Sequence, residues 1–220
     1  MADDDEKIQL DVVSELGWDT RVPSKDVGVT VRDGVVNLYG EVYSHPERRA
    51  AEKAAYRVSG VRSVTNDLRV RLPIELSRTD SDIAAAALHA IEWDTWIPSE
   101  SIHVTVSDGW LELTGVVDWY WQSVEADQVV GHIRGVRGVT SHITVHPRVA
   151  PSATQTKNAI EAALVRDAQT DAARVTVEVH DHTVVLKGSV RSWAERVAAE
   201  NTATSAPGVA EVDNRLDISL

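Results

Sequence analysis

Hydrophobic residues in the first part of the chain change from helical to extended spacing. Near the N-terminus they recur on one side of a helix, at Ile8, Val12, Val13 and Leu16. This spacing predicts an amphipathic helix. Further along, valines alternate with small or polar residues, at Val27, Val29 and Val31. That alternation predicts a half-buried strand.

The next residues predict a hairpin, a second helix and a last strand. Asp33 and Gly34 favour a tight left-handed turn, after which apolar positions continue along a return strand. An alanine-rich segment from Glu47 to Val58 predicts the second helix, which Gly60 ends. Alternating apolar residues at 64–70 form the last strand. The predicted unit is αββαβ, a three-stranded mixed sheet with both helices on one face.

The same pattern occurs three times along the chain. The segment GVTVRDGVVNLYGEV (28–42) aligns with HVTVSDGWLELTGVV (103–117) and TVEVHDHTVVLKGSV (176–190), at offsets of 75 and 73 residues. The chain is therefore predicted to be an α+β protein of three tandem units, spanning 1–73, 79–147 and 153–220. Short connectors that contain proline should hold neighbouring units together.

A set of turn, helix and strand residues accompanies each copy. In the first unit they are Asp33, Gly34, Leu38, Gly40, Glu47, Arg48, Gly60, Val61, Val64, Asn66 and Leu68. This pattern resembles the BON domain, a family that includes bacterial osmotically inducible and transport-associated proteins. The middle unit departs from it at Gln122, Ser123 and Ser141, and the third has His182 in place of the hairpin glycine.

The resemblance implies a non-enzymatic module associated with osmotic or envelope stress and with phospholipid. One cytoplasmic potassium-binding protein carries a BON domain, so the resemblance also allows an ion or small-ligand sensor. The family has no catalytic motif to transfer. Consistent with this, the chain has no phosphate-binding glycine loop, no G-x-S-x-G and no H-E-x-x-H. We expect no catalytic residue and no cofactor.

Net charge limits the classes of partner. The chain carries a formal charge of −12, which opposes binding to nucleic acid. Residues 77–150 alone carry ten acidic and four basic side chains. The acidic N-terminus lacks the basic and then apolar pattern of a secretory signal. A cytoplasmic location is expected, with the periplasm as the alternative.

Aromatic residues concentrate in the middle unit. Trp119, Tyr120 and Trp121 follow one another between its second strand and second helix, and Trp96 is a further member. These four residues are a candidate surface for an apolar partner, another copy of the chain or a bilayer interface, because Trp and Tyr suit half-wet surfaces. The alternative is that they pack between units.

Basic residues recur along the second helix of the first unit, at Arg48, Arg49, Lys53 and Arg57. They form a candidate patch for anionic lipid. The alternative, which the paired acidic residue Glu52 favours, is the solvated face of a helix.

Several histidine and aspartate residues are candidates for metal or acid/base sites. His180 and His182 flank a hairpin turn, and His142 and His146 lie near the end of the middle unit. A metal would need three or four convergent ligands, and polar turn residues are expected at a hairpin in any case, so no metal site is predicted. The repeated turn aspartates Asp33, Asp108 and Asp181 are predicted to serve backbone geometry.

Three functions stay open at this point. The first is a binding or scaffold protein of bacterial stress physiology that contacts a protein partner or itself. The second is peripheral binding to phospholipid. The third is a sensor of a small ion, such as potassium, or of a small ligand.

Overall fold

A computed structural model describes residues 2–148 and 151–219 and contains three units with the same order of elements. In the first unit these are α1 (Ala2–Trp18), β1 (Val27–Arg32), β2 (Val35–Val42), α2 (His45–Tyr56) and β3 (Ser63–Val70). The predicted αββαβ order is confirmed. Four positions lie outside the described residues. They are Met1 and Leu220, at the outer bounds of the predicted first and third units, and Val149 and Ala150 of the second connector.

The other two units repeat these elements. The second contains α3 (Asp80–Trp93), β4 (Ile102–Ser107), β5 (Trp110–Val117), α4 (Tyr120–Gly131) and β6 (Gly138–Val145). The third contains α5 (Ala153–Arg166), β7 (Val175–His180), β8 (Thr183–Val190), α6 (Trp193–Thr204) and β9 (Glu211–Ile218). A one-turn 3-10 helix precedes the first strand of each unit. None of the described helices is long and apolar enough to cross a membrane.

Each unit has a mixed sheet with its hairpin return strand in the centre. β1 pairs antiparallel with β2, where Val27 faces Gly40, and β2 pairs parallel with β3, where Val35 faces Ser63. The second and third sheets keep the same order. Crossing from β2 to a parallel neighbour requires a long connection, and α2 supplies it on the side of the sheet that α1 also covers.

The turn aspartates adopt left-handed backbone geometry, as predicted. Their φ angles are 52° at Asp33, 51° at Asp108 and 53° at Asp181. In the first unit, the Asp5 carboxylate at the start of α1 accepts hydrogen bonds from the backbone N–H groups of Asp33 and Gly34, at 2.8 and 2.9 Å. Asp80 repeats this contact in the second unit, whereas Ala153 occupies the position in the third.

A separate apolar core fills each unit. In the first, Val12 and Leu16 of α1 are buried against Val36 and Leu38 of the central strand. Burial of such side chains stabilises a fold by about 1.5–3 kcal/mol each. The prediction for Val13 was wrong, since half of this side chain is exposed. Successive helix residues point about 100° apart, so Val13 turns away from the core that Val12 enters.

The three second helices bring the units into a closed ring. His45, Tyr120 and Trp193 occupy equivalent positions at the starts of these helices. His45 contacts α4 at Gly131, and Trp193 stacks on Tyr56 at the end of α2. Burial raises the pKa of the Tyr120 phenol, and the charges of Glu200 and Glu211 in the third unit add to this effect. Each unit therefore meets both others.

Candidate binding sites between and beside the units

Two of the predicted aromatic residues form a pair on the surface of the second unit. Trp96 and Trp121 meet edge to face, with ring centroids 5.6 Å apart and planes at 82°. Trp96 keeps 66% of its surface exposed, and Trp121 is half-buried. We call Trp96 and Trp121 the tryptophan pair. Its geometry is typical of a favourable aromatic contact that leaves apolar surface open to a partner.

Gln122 holds the loop that carries this pair. Its Oε1 accepts hydrogen bonds from the backbone N–H groups of Asp118 and Trp119, both at 3.1 Å. Its Nε2 donates to the carbonyl of Trp96 at 3.3 Å. A glutamate, which occupies this position in the other units, has no hydrogen to donate to that carbonyl. The departure at Gln122 therefore positions Trp96.

The sequence left two interpretations for Trp119, Tyr120 and Trp121, a surface for a partner and packing between units, and the three residues differ in which one they fit. Tyr120 is half-buried and close enough to the third unit for the charges of Glu200 and Glu211 to act on its phenol, which favours the interpretation of packing between units. Trp121 belongs to the surface pair. Trp119 replaces the serine that caps the second helix in the other two units, where Ser44 and Ser192 accept from the backbone at 3.3 and 3.2 Å.

Most of the basic residues on α2 and at its C-terminal cap bind groups of the protein itself. Arg57 donates to Glu15 at 2.6 Å and to Asp19 at 3.0 Å. Arg48 donates to the carbonyl of Asn66 at 2.9 Å. Arg49 forms an ion pair with Asp127 of the second unit at 2.5 Å. These guanidinium groups tie α2 to its surroundings, an arrangement that weakens the case for a free lipid-binding patch.

Lys53 differs from its basic neighbours. It is exposed, and its ammonium has no hydrogen-bond or ion-pair partner among residues 2–148 and 151–219. Together with Arg49 and Arg48 it lines a cavity of about 420 Å³ between the units. Glu52 and Tyr56 of the same helix also line it, and the second and third units complete the wall with Asp127, Val139, Trp193 and Val197. We call this space the central cavity.

His45 is the buried polar group of the central cavity. Only 7% of its surface is exposed, and neither ring nitrogen has a hydrogen-bond partner among the described residues. Burial lowers the pKa of His45 to about 4, and the nearby Arg49 charge adds to this effect. The imidazole is neutral at pH 7 as a result, with one donor and one acceptor. An unpaired buried group of this kind costs about 1–3 kcal/mol.

The histidines considered as metal ligands lie apart from this cavity. In the third unit His180 lies 3.8 Å from Glu178, and in the second unit His142 lies 3.7 Å from Glu112. His182 forms a hydrogen bond with the carbonyl of Gly208 at 2.8 Å. Among the described residues, no three His or acidic side chains converge as a metal would need.

Comparison with known protein families identifies the three units. The model of the BON domain matches residues 4–71, 79–147 and 152–219, which is nearly the whole chain. The chain belongs to the BON domain family. The three BON units share the antiparallel hairpin followed by a helix and a parallel strand, so the resemblance seen in the sequence is confirmed in fold as well.

One curated relative matches at the level of sequence. The chain is 32% identical over 148 residues to osmotically-inducible protein Y of Escherichia coli (strain K12), covering 64% of this chain and 72% of the relative.

Among solved structures, the three BON units can be compared with CdsD, a structural protein of the type III secretion system of Chlamydia trachomatis. One CdsD structure is 15% identical with a TM-score of 0.26, covering 94% of this chain and 90% of that one. Its C-terminal domain is also 15% identical, with a TM-score of 0.28 and 96% coverage of each chain. Scores this low carry no argument about either protein.

The contacts between BON units were missed by sequence reasoning. His45, Tyr56 and Trp193 are absent from the predicted sites, although all three lie where units meet. A signal was present: the position of His45 holds a different ring side chain in each repeat, namely Tyr120 and Trp193. A bulky residue outside the repeated apolar core at all three copies indicates contact beyond the unit.

Proposed function

We propose that this protein is a non-enzymatic binding module of bacterial stress physiology, and that it contacts a protein partner through the tryptophan pair. The family and the osmotically inducible relative support the stress-related part of this proposal. The observation that carries the binding part is the exposed Trp96 indole, held against Trp121 and fixed by Gln122.

Charge favours a partner with basic residues around an apolar pocket. Acidic side chains are close to the pair in sequence, at Glu92, Asp94 and Glu100, whereas Asp118 is paired with Arg148 at 2.8 Å. Opposite charges at the rim of an interface speed association and fix orientation, whereas a buried Trp at its centre contributes most of the affinity. We therefore expect the partner to insert Trp96 into a pocket lined at its edge by Lys or Arg.

The test begins with identification of the partner and ends with a measured affinity. Cross-linking in cells that express the protein supplies candidates, and each is purified and titrated by calorimetry. Truncation of a Trp at the centre of an interface usually costs at least about 2 kcal/mol. We expect Trp96→Ala to weaken binding at least about tenfold, and binding to weaken as salt increases.

Trp18→Ala is the matched control. Trp18 is a single exposed tryptophan at the end of α1, 81% exposed and outside the pair. Its removal should leave the affinity unchanged. Equal binding by the wild type and Trp96→Ala would overturn the proposal. A mass in solution that falls in Trp96→Ala, with no second protein, would instead identify self-association.

Two further expectations stay predictions. The phospholipid alternative predicts that the protein floats with anionic vesicles at low salt, and that the floating fraction is smaller for Lys53→Gln than for the wild type. The cytoplasmic location can be tested by fractionation.

A further inference from the structure

We propose that the central cavity is a binding site for a small hydroxylated oxyanion, such as a sugar phosphate or a sugar acid. The proposal is independent of the tryptophan pair, because Trp96 and Trp121 do not line this cavity. It rests on which groups the three units place around the cavity and on which of them lack partners.

The cavity extends along one face of α2. His45, Arg49 and Lys53 line it at intervals of four residues, which puts them on the same side of the helix. A rise of about 1.5 Å per residue separates the first from the last by about 12 Å. A bound molecule that reaches both ends must be elongated, and the volume of about 420 Å³ accommodates one the size of a phosphorylated pentose.

Charge at the Lys53 end selects an anion. Three basic side chains, Arg48, Arg49 and Lys53, line the cavity against two acidic ones. Asp127 is paired with Arg49, and Glu52 accepts a hydrogen bond from the neutral amide of Asn66 at 3.0 Å, so one positive charge is in excess. Lys53 has no such partner among the described residues, although the protein as a whole is strongly acidic. A cation left unpaired beside a cavity is suited to a carboxylate or phosphate.

His45 selects a hydroxyl group at the other end. The neutral imidazole offers one N–H donor and one nitrogen acceptor, both unpaired. The Nε of Arg48, which also lines the cavity, is a further buried donor without a partner. Both ring nitrogens have almost no exposed surface, so the His45 ring must turn toward the cavity before a ligand hydroxyl can donate to one of them and accept from its neighbours. A fully deprotonated anion without hydroxyl groups cannot donate, so it would leave the acceptor unpaired.

The experiment uses ribose 5-phosphate and gluconate as probes, with ribose as the uncharged control, on the full chain. A ligand that binds the native state raises the unfolding temperature as its concentration rises. We expect at least one of the two oxyanions to raise this temperature and ribose to have no effect, at constant ionic strength. The oxyanion that acts distinguishes a phosphate from a carboxylate ligand.

Variants assign the effect to the cavity. Lys53→Gln should weaken the affinity at least about tenfold, since charge-assisted hydrogen bonds are the strong ones. Lys25→Gln, on the 3-10 turn before β1, is the control that should bind as the wild type does. His45→Asn keeps a donor and an acceptor and should retain binding better than His45→Phe. Circular dichroism without ligand confirms that each variant folds.

A flat response to both oxyanions up to millimolar concentrations would overturn the proposal. An equal response to ribose would do the same, and so would an affinity that is unchanged in Lys53→Gln. In each of these cases the binding of a protein partner by Trp96 would be unaffected, so the two proposals fail separately.

Discussion

Tyr56 of the first BON unit and Trp193 of the third stack face to face, with ring centroids 3.6 Å apart and planes 8° from parallel. The guanidinium of Arg196 lies 4.9 Å from the centroid of the same indole. This contact joins the first unit to the third and closes the ring of units.

The first prediction concerns this stack. In a double-mutant cycle of Tyr56→Ala and Trp193→Ala, we expect a coupling of about 0.5–1.5 kcal/mol in the free energy of unfolding, as for other aromatic pairs. Urea unfolding followed by far-UV circular dichroism measures it. Tyr56→Phe is the control for the phenol, which accepts from the backbone N–H of Val64 at 3.2 Å. Additive single effects would mean that the stack contributes nothing.

The second prediction concerns the ion pair between Arg49 and Asp127. Both side chains are partly exposed, at 38% and 26%. We expect a coupling of about 0.2–1 kcal/mol from Arg49→Gln and Asp127→Asn at low salt, which decreases at 1 M salt through screening. Unfolding by urea at the two salt concentrations tests this. A coupling that rises with salt would contradict it.

The third prediction compares two glycines of the first unit. Gly40 has a φ of 119°, and a Cβ added there would lie 2.1 Å from the carbonyl oxygen of Asp26. Gly40→Ala should destabilise the protein by about 2–4 kcal/mol. At Gly17 an added Cβ meets nothing within 4 Å, and this residue lies in α1. Gly17→Ala should therefore be neutral or stabilising by up to about 1 kcal/mol. Thermal unfolding distinguishes the two, and similar losses in both would refute the strain at Gly40.

The fourth prediction concerns the dependence of stability on pH. The pKa of His45 falls from 6.5 to about 4 on folding, mainly through burial, with Arg49 and Arg48 adding to the effect and Asp127 opposing it. Above pH 6.5 the imidazole is neutral in both the folded and the unfolded state, so His45 does not lower the free energy of unfolding there. As pH falls from 6.5 to 4 the unfolded chain takes up a proton that the folded protein does not, so about 3 kcal/mol is lost.

Urea unfolding at pH 7 and pH 4.5 measures this loss, and His45→Phe should show less of it. Arg21 lowers the pKa of the Asp19 carboxyl, so Asp19 stabilises the folded protein at pH values above its usual pKa of 3.8. This stabilisation is lost only below about pH 3.8, outside the range between pH 7 and pH 4.5. An identical pH profile in His45→Phe would show that other groups are responsible.

The fifth prediction is a gain of stability in the third unit. Ala153→Asp would introduce the carboxylate that Asp5 and Asp80 direct at the hairpin N–H groups of the other units. We expect a gain of about 0.5–1.5 kcal/mol from the added hydrogen bonds and the favourable charge at a helix start. Ala153→Asn, which lacks the charge, should give less. Thermal unfolding provides the comparison, and a loss would show that the turn at Asp181 and His182 does not accept this cap.

The order of elements could be predicted because each unit contains its own evidence for it. Val12 and Leu16, the alternating valines of β1 and the turn at Asp33 are all local patterns. Strand order was not predicted, since alternation shows that a strand is half-buried but does not name its neighbour. The burial of His45 depends on Gly131 of another unit, and no periodicity within one unit contains that information.

The tryptophan pair, Trp96 and Trp121, could be predicted only in part. Their concentration in the middle unit was visible in the sequence, and their pairing was not, because it depends on the loop that Gln122 fixes. The sequence also grouped the basic residues of α2 as one surface. The structure separates them, because Arg57 and Arg49 have acidic partners from other elements, whereas Lys53 has none among the described residues.

The ring of units has a consequence that depends on their being covalently linked. Three identical chains meeting in this way would place one residue type at every equivalent junction. A single polypeptide can instead make one junction aromatic, at Trp193, and another polar, at His45. Tethering also supplies an effective concentration in the millimolar range, so a junction of about 4 kcal/mol suffices to keep the assembly closed. Covalent linkage therefore lets the three walls of the central cavity carry different side chains.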